Sequence, residues 1–285
     1  MIITLTTDFG LSDPFVGIMK GVILGIVPGA QIVDISHDIR SYDVVEAAFL
    51  IDSAYGYFPE GAIHVVVVDP GVGSARRPIA ASSDGHLFVA PDNGVLSAVF
   101  DKDERSECKP DRAKPSIDER SECKPDRAKP LIDVYHITNR SLFLDPVSQT
   151  FHGRDIFSPV AAHLAKGTPI ESVGPRILDF LERPLPKPRP QGDKTLATVL
   201  RIDKFGNIIT NLRRRDLSGD FTIRVAGLAI TRLCSSFSEA ERGEFFAIEG
   251  STGFIELALD QGSAADKLNV ERGDEIEVEV GSATH

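Results

Sequence analysis

Apolar residues in the first third of the chain alternate between short β-branched runs and longer stretches at helical spacing. Residues 2–7 (IITLTT) read as a strand, followed by the loop Asp8-Phe9-Gly10. A helix is predicted from about Pro14, whose fixed φ suits a first turn, with Asp13 as its cap. Within it Gly17, Gly21 and Gly25 recur on one face, a smooth stripe predicted to lie close against a sheet. Gln31–Ser36 reads as a second strand and Asp43–Tyr55 as a second helix. His64–Val68 (HVVVV) has the nearly continuous β-branched pattern of a parallel strand buried on both faces. This order predicts an α/β N-terminal domain over residues 1–182, a central, mostly parallel sheet flanked by helices. Ligands in such folds sit beyond the carboxyl ends of strands, where Asp8, His37 and Asp69 all fall.

Pro78–Ser83 and His86–Ala90 are predicted to pair as a hairpin across Asp84-Gly85, a preferred two-residue turn. Ser158-Pro159 suits the start of a helix reaching Leu164. Residues 183–193 (RPLPKPRPQGD) hold four prolines and are expected to form a stiff linker without regular structure. Beyond it, Leu196–Ile202, Ile208–Leu212, Phe221–Val225, Phe245–Ile248, Phe254–Leu259 and Glu275–Val280 read as short strands. They predict a smaller all-β, barrel-like domain over 194–285. Residues 103–117 recur at 118–132 with one difference, Ser116 against Leu131, and are expected to form a duplicated surface loop.

Charge narrows the partners. At a formal net charge of −11 the chain repels phosphate backbones, so no nucleic-acid partner is expected. The apolar stretch from Val16 to Val27 is too short to cross a membrane and is broken by Lys20. With no basic leader ahead of Asp8, no membrane association and a cytoplasmic address are expected. Cys108, Cys123 and Cys234 lack metal-ligand spacing, and there is no HxH or HExxH. His37-Asp38 and His152 with Asp155 come nearest to a metal site, and no metal is expected. Gly71-Val72-Gly73 lacks the rest of a dinucleotide fingerprint, so no cofactor is expected either.

Five loops set polar residues beside glycine or proline: those at Asp8–Asp13, Asp69–Arg76, Pro91–Gly94, Phe151–Asp155 and Asp203–Asn207. Asp69 ends an apolar strand, which partly desolvates its carboxylate and calls for a partner. Arg76, seven residues on across a glycine-rich turn, is placed to return to it. A loop-fixing ion pair and a turn histidine at 152 are the plain readings. If Asp69, Arg76 and His152 converge, they form a site that holds and polarises a water.

With these residues assembled, the chain resembles the S-adenosylmethionine hydroxide adenosyltransferase family, relatives of the fluorinase and chlorinase. The resemblance is carried by TTDFGLSDPFVGIMKG at 6–21, VDPGVGSARR at 68–77, APDNG at 90–94, FHGRDIFSPVAAHL at 151–164, DKFGNIITN at 203–211 and GFIELALDQGSAA at 253–265. It implies hydrolysis of S-adenosylmethionine to adenosine and L-methionine, with Asp69, Arg76 and His152 holding water or hydroxide in line with ribose C5′ and the departing sulfur. It further implies Asp8 on the ribose diol, Asp13 and Asp203 on the methionine ammonium, and Ser251 on its carboxylate. Asn207 is implied at adenine, with Phe205 and Phe237 as packing surfaces. Tyr42 is implied near the sulfonium, and Phe151 in the substrate pocket. The halogenases lack the aspartate at 69 and the histidine at 152, which favours water over halide. A halogenase-type transferase, a non-catalytic sensor of S-adenosylmethionine or adenosine, and a metal-dependent nucleoside hydrolase are the alternatives. The resemblance also implies a homotrimer, with each site between the N-terminal domain of one subunit and the C-terminal domain of its neighbour.

Overall fold

The computed structural model describes residues 1–101, 132–217 and 219–281. The duplicated loop expected over 103–132 therefore lies, apart from Ile132, outside the described residues. The chain divides into two compact units, Met1–Pro184 and Leu185–His285.

The first unit runs β1 (Ile2–Thr7), α1 (Phe15–Ile26), β2 (Gln31–Ser36), α2 (Val44–Tyr55), β3 (Ile63–Val67), β4 (Pro78–Ser83), β5 (His86–Pro91), α3 (Ser97–Phe100), β6 (Asp133–His136), α4 (Ser158–Ala165) and β7 (Arg176–Ile177). Its sheet has the order β2-β1-β3-β5-β4-β6-β7. The β2-β1-β3-β5 half is parallel, whereas β5-β4-β6-β7 is antiparallel. The sheet is thus mixed rather than mostly parallel. The hairpin at Asp84-Gly85, both at positive φ, reverses the direction after β4 as its turn chemistry requires.

Strand alternation sorts the core into two layers. Ile3, Leu5, Val65 and Val67 pack with Met19 and Ile23 of α1 and Val160 of α4. Val66, Val68, Ala81 and Phe88 pack on the other face with Ala47, Ile51 and Tyr55 of α2. Each fully buried aliphatic side chain contributes about 1.5–3 kcal/mol relative to exposure. β1, β3 and β5 share one direction, so the segments after them (Asp8, Asp69 and Asp92) lie at a common edge of the sheet. At the opposite edge His64 and His86 are buried near the starts of β3 and β5.

Two local expectations change at α1. Pro14, with φ −76° and ψ 0°, occupies the cap position, and among the described residues no side chain caps the helix, so Asp13 is not the cap. Among the described residues, a Cβ built on Gly17, Gly21 or Gly25 meets nothing within 4 Å. The stripe therefore faces away from the sheet, because Val16, Met19 and Ile23 occupy the buried face.

The second unit comprises β8 (Arg189–Gln191), β9 (Lys194–Ile202), β10 (Ile208–Arg213), β11 (Phe221–Val225), β12 (Leu228–Ile230), β13 (Leu233–Cys234), β14 (Phe245–Glu249), β15 (Phe254–Leu259), α5 (Ala264–Leu268) and β16 (Glu275–Val280). One path, β12-β11-β16-β9-β10-β15-β14-β13, joins all but β8, which pairs β9. Among the described residues the end strands β12 and β13 are not paired with each other, so the sheet is a curled, open one rather than a closed barrel. The proline-rich stretch is not wholly irregular: Pro190 opposes Thr195 in β8, an edge strand where a missing N–H is tolerated.

Candidate active site

Asp69 and Arg76 lie on one returning loop. The turn is closed by Val72 N donating to Asp69 O (3.2 Å) and Ser74 N to Gly71 O (3.0 Å). Gly73, at φ +76°, packs so tightly that an added Cβ would lie 2.5 Å from the Gln149 carbonyl oxygen. Only glycine fits this conformation and approach. The loop brings the Arg76 guanidinium onto Asp69: Nε donates to Oδ1 at 2.8 Å and to Oδ2 at 2.9 Å, and Nη2 also donates to Oδ2. Both side chains are more than nine-tenths buried. Arg76 Nη2 lies 2.9 Å from His152 Nδ1, and the guanidinium carbon stands 5.1 Å from the centre of the Phe157 ring.

These contacts fix the protonation of His152. Arginine only donates, so Nδ1 accepts, and the neutral ring carries its proton on Nε2. Burial pushes the imidazole pKa below its ordinary value, and the adjacent Arg76 charge adds to this. Asp69, a hydrogen bond at the Ser148 backbone and Asp155 act in the opposite sense. Arg76 Nη1 is buried and has no hydrogen-bond partner among the described residues. A buried guanidinium N–H without an acceptor is costly, and an oxygen arriving there would satisfy it.

Asp8 lies in the same electrostatic neighbourhood. Burial raises its pKa, backbone N–H donors including Tyr42 lower it, and the charge of Asp69 raises it again. Tyr42 N donates to Asp8 Oδ2 at 2.8 Å, from a residue held at φ +69° with its ring exposed. Behind Asp8, Thr7 Oγ1 and His37 Nδ1 are 2.8 Å apart, and Gly10 N donates to His37 O at 2.8 Å. His37 Nε2 lies 3.0 Å from Asp34, which pairs with Lys20 at 2.6 Å. Phe151 is buried edge-on against Phe9 and Phe15, with centroids 5.9 and 5.1 Å away. Asp13 is exposed beside this cluster in sequence and takes no part in the ion pairs above.

In the second unit, Asp203, Phe205 and Asn207 share one turn. Asp203 Oδ1 accepts from Phe205 N (2.8 Å) and Asn207 N (2.9 Å), while Oδ2 accepts from Asn207 Nδ2 (2.9 Å). The carboxylate thus builds the turn that holds Asn207 buried and leaves Phe205 76% exposed. Phe237 is also largely exposed, stacked edge-on against Phe246 at 5.6 Å. Ser251 sits exposed in the turn after β14. Burial and the charge of Asp203 raise the pKa of nearby Glu256.

Sequence reasoning overlooked two supports. Asn93 Nδ2 donates to Val68 O at 2.8 Å, and Asp92 N to Arg77 O at 2.8 Å, so the 91–94 loop braces both ends of the Asp69–Arg76 turn. Asp155 is 1% exposed and binds the backbone of the His152 loop. The signal for Asp155 was a carboxylate directly after Arg154 and ahead of the apolar Ile156-Phe157 that lead into α4. His37-Asp38 and His152 with Asp155 do not assemble as ligands: among the described residues no group of three or more His, Cys, Asp and Glu is placed to hold a metal ion. No helix among them is long and apolar enough to cross a membrane.

Models of the SAM hydroxide adenosyltransferase N-terminal and C-terminal domains match residues 3–174 and 197–277. The chain is 37% identical over 271 residues to the (R)-S-adenosyl-L-methionine hydrolase of Thermus thermophilus, covering 94% of this chain and 95% of that protein. It is 35% identical over 287 residues to the protein of the same name from Salinispora tropica, covering 98% of each. A solved structure of an uncharacterized conserved protein from Thermotoga maritima superposes with a TM-score of 0.81 at 35% identity, covering 98% of this chain and all of that one.

Proposed function

Because this chain belongs to the SAM hydroxide adenosyltransferase family, it is a hydrolase of S-adenosylmethionine, and we propose that Asp69, Arg76 and His152 are the residues that direct its water. A single observation carries the proposal: Arg76 joins the other two side chains and keeps Nη1 buried and without a partner among the described residues. An oxygen seated there accepts from Nη1 beside the Asp69 carboxylate. Attack at C5′ forms the C–O bond as the C–S bond breaks, the electron pair leaves on sulfur as the thioether of methionine, and the water proton passes toward Asp69. Hydroxide meeting a sulfonium neutralises charge, so a site from which bulk water is excluded favours the transition state. Holding the oxygen in line contributes several kcal/mol, on the order of 7–11 in the best-oriented intramolecular cases.

The substrate contacts belong to the same proposal. Asp8 offers acceptors to the ribose diol, Tyr42 and Phe151 line the region beside it, and Asp13 and Asp203 supply negative charge for the methionine ammonium. Asn207, Phe205, Phe237 and Ser251 serve adenine and the methionine carboxylate. The homotrimer, with its site shared between subunits, is likewise proposed, and light scattering should give three times the 30.9 kDa chain mass. The direct test is incubation with S-adenosylmethionine, which should yield adenosine and methionine in equal amounts. Asp69→Ala and His152→Ala should each lower turnover at least about tenfold while leaving adenosine binding largely intact. Unchanged turnover removes those residues from the mechanism. A 5′-halo-adenosine formed on adding fluoride or chloride would instead favour halide as nucleophile.

A further inference from the structure

The loop that carries His152 is held by a buried charge with no part in the chemistry above. Asp155, 1% exposed, accepts from Ser148 N at 2.8 Å, from Arg154 Nε at 2.5 Å and from Arg154 Nη2 at 3.0 Å. Its backbone takes part as well: Leu144 N donates to Asp155 O at 2.9 Å, and Asp155 N to Phe151 O at 3.1 Å. Ser148 Oγ in turn accepts from Phe151 N at 3.0 Å. His152 lies inside the segment these bonds close. On its far side Gln149 presses its carbonyl against Gly73, so the loops bearing His152 and Arg76 share one contact surface.

We infer that Asp155 is a positioning residue for the reaction: its carboxylate closes the 148–155 loop so that His152 presents Nδ1 to Arg76. Filling space alone does not call for a carboxylate here, since a buried ion pair replaced by well-packed apolar groups is often neutral for stability. What the carboxylate supplies is a fixed acceptor for Ser148 N and a negative charge beside the imidazole. The 2.9 Å bond between Arg76 and His152 leaves little room, because a shift of well under an ångström takes such a bond out of range. Its partner Arg154 is the more accessible of the pair, with a side chain 35% exposed. This inference rests on the hydrolase reading, and it adds a residue that touches neither substrate nor water.

The test is Asp155→Asn, a near-isosteric change that leaves Ser148 N only a neutral acceptor and removes the charge on which both Arg154 bonds depend. kcat should fall about tenfold to a hundredfold while KM for S-adenosylmethionine changes by less than about threefold, as misplacement near the chemistry does. The His152 ring, followed by NMR with labelled histidine, should titrate at lower pH than in the wild type, because a neighbouring negative charge is gone. Unchanged kcat in the folded variant, or an unmoved His152 titration, overturns the inference. If Asp155→Asn does not fold, Arg154→Gln serves: kcat should fall about threefold or more, and His152 should titrate at higher pH, with no change in either overturning the inference. Wild-type protein that releases no adenosine refutes the hydrolase reading alone, while the His152 titrations still decide the role of Asp155.

Discussion

Acidification should destabilise this protein through a buried imidazole at the sheet edge opposite the site. His64 is fully buried: Nδ1 lies 2.8 Å from Thr4 Oγ1, Nε2 lies 3.3 Å from His86 Nδ1, and the ring stacks on Phe88 at 5.1 Å. Tyr55 lies edge-on to both histidines and donates to Asp84 at 3.0 Å. Burial, with the charge of His86 adding to it, lowers the His64 pKa from 6.5 to about 3. The folded state therefore binds this proton less readily than the unfolded chain. Stability from His64 is complete above about pH 6.5 and is lost as the pH falls toward 3. At 1.36 kcal/mol per pH unit, the loss between pH 7 and pH 4 is about 3 kcal/mol, a large share of a typical domain's stability. The assay is urea unfolding at both pH values for the wild type and for His64→Gln, which packs differently but does not titrate. Carboxylates contribute to the acid loss in both proteins, so the difference between the two isolates His64 together with its coupling to His86. The wild type should lose about 3 kcal/mol more than the variant over that interval. Parallel losses would refute the reasoning.

Further outcomes follow from the same geometry. Gly73→Ala places a Cβ against the Gln149 carbonyl at positive φ and should lower turnover at least about tenfold, checked by steady-state kinetics. Gly17→Ala and Gly21→Ala meet nothing within 4 Å in a helix interior, so each should raise stability by about 0.5–1 kcal/mol in denaturant melts. Because burial and Arg76 depress the His152 pKa, the acid limb of kcat/KM should lie below pH 6.5, the neutral ring being the form that accepts from Arg76. A limb at or above pH 6.5 in the rate profile would contradict that assignment.

Much of this was legible in the chain itself, for identifiable physical reasons. Period-two and β-branched runs located β1, β3 and most second-unit strands, because each is buried strongly enough for its pattern to survive, whereas β2 was located although it is an edge strand with no fully buried residue. Asp84-Gly85 announced its hairpin, and that same turn made half the sheet antiparallel, a consequence strand patterns alone do not carry. The glycines of α1 have a helical period whichever way they face. Only the burial of Val16, Met19 and Ile23 decides the orientation. At the site, the seven-residue return from Asp69 to Arg76 was readable as a possible pairing. The approach of His152, 76 residues further on, was not: it depends on the Gln149–Gly73 contact and on the loop closed at Asp155. Asp203 shows the converse, a candidate ligand whose oxygens also serve its own turn.

The central claim is that the oxygen joined to C5′ comes from solvent held by Asp69, Arg76 and His152. Turnover of S-adenosylmethionine in oxygen-18 water, with the products weighed by mass spectrometry, tests it most directly. Adenosine carrying one heavy oxygen at its 5′-hydroxyl, alongside unlabelled methionine, is the expected result; unlabelled adenosine, or label in methionine, would contradict it.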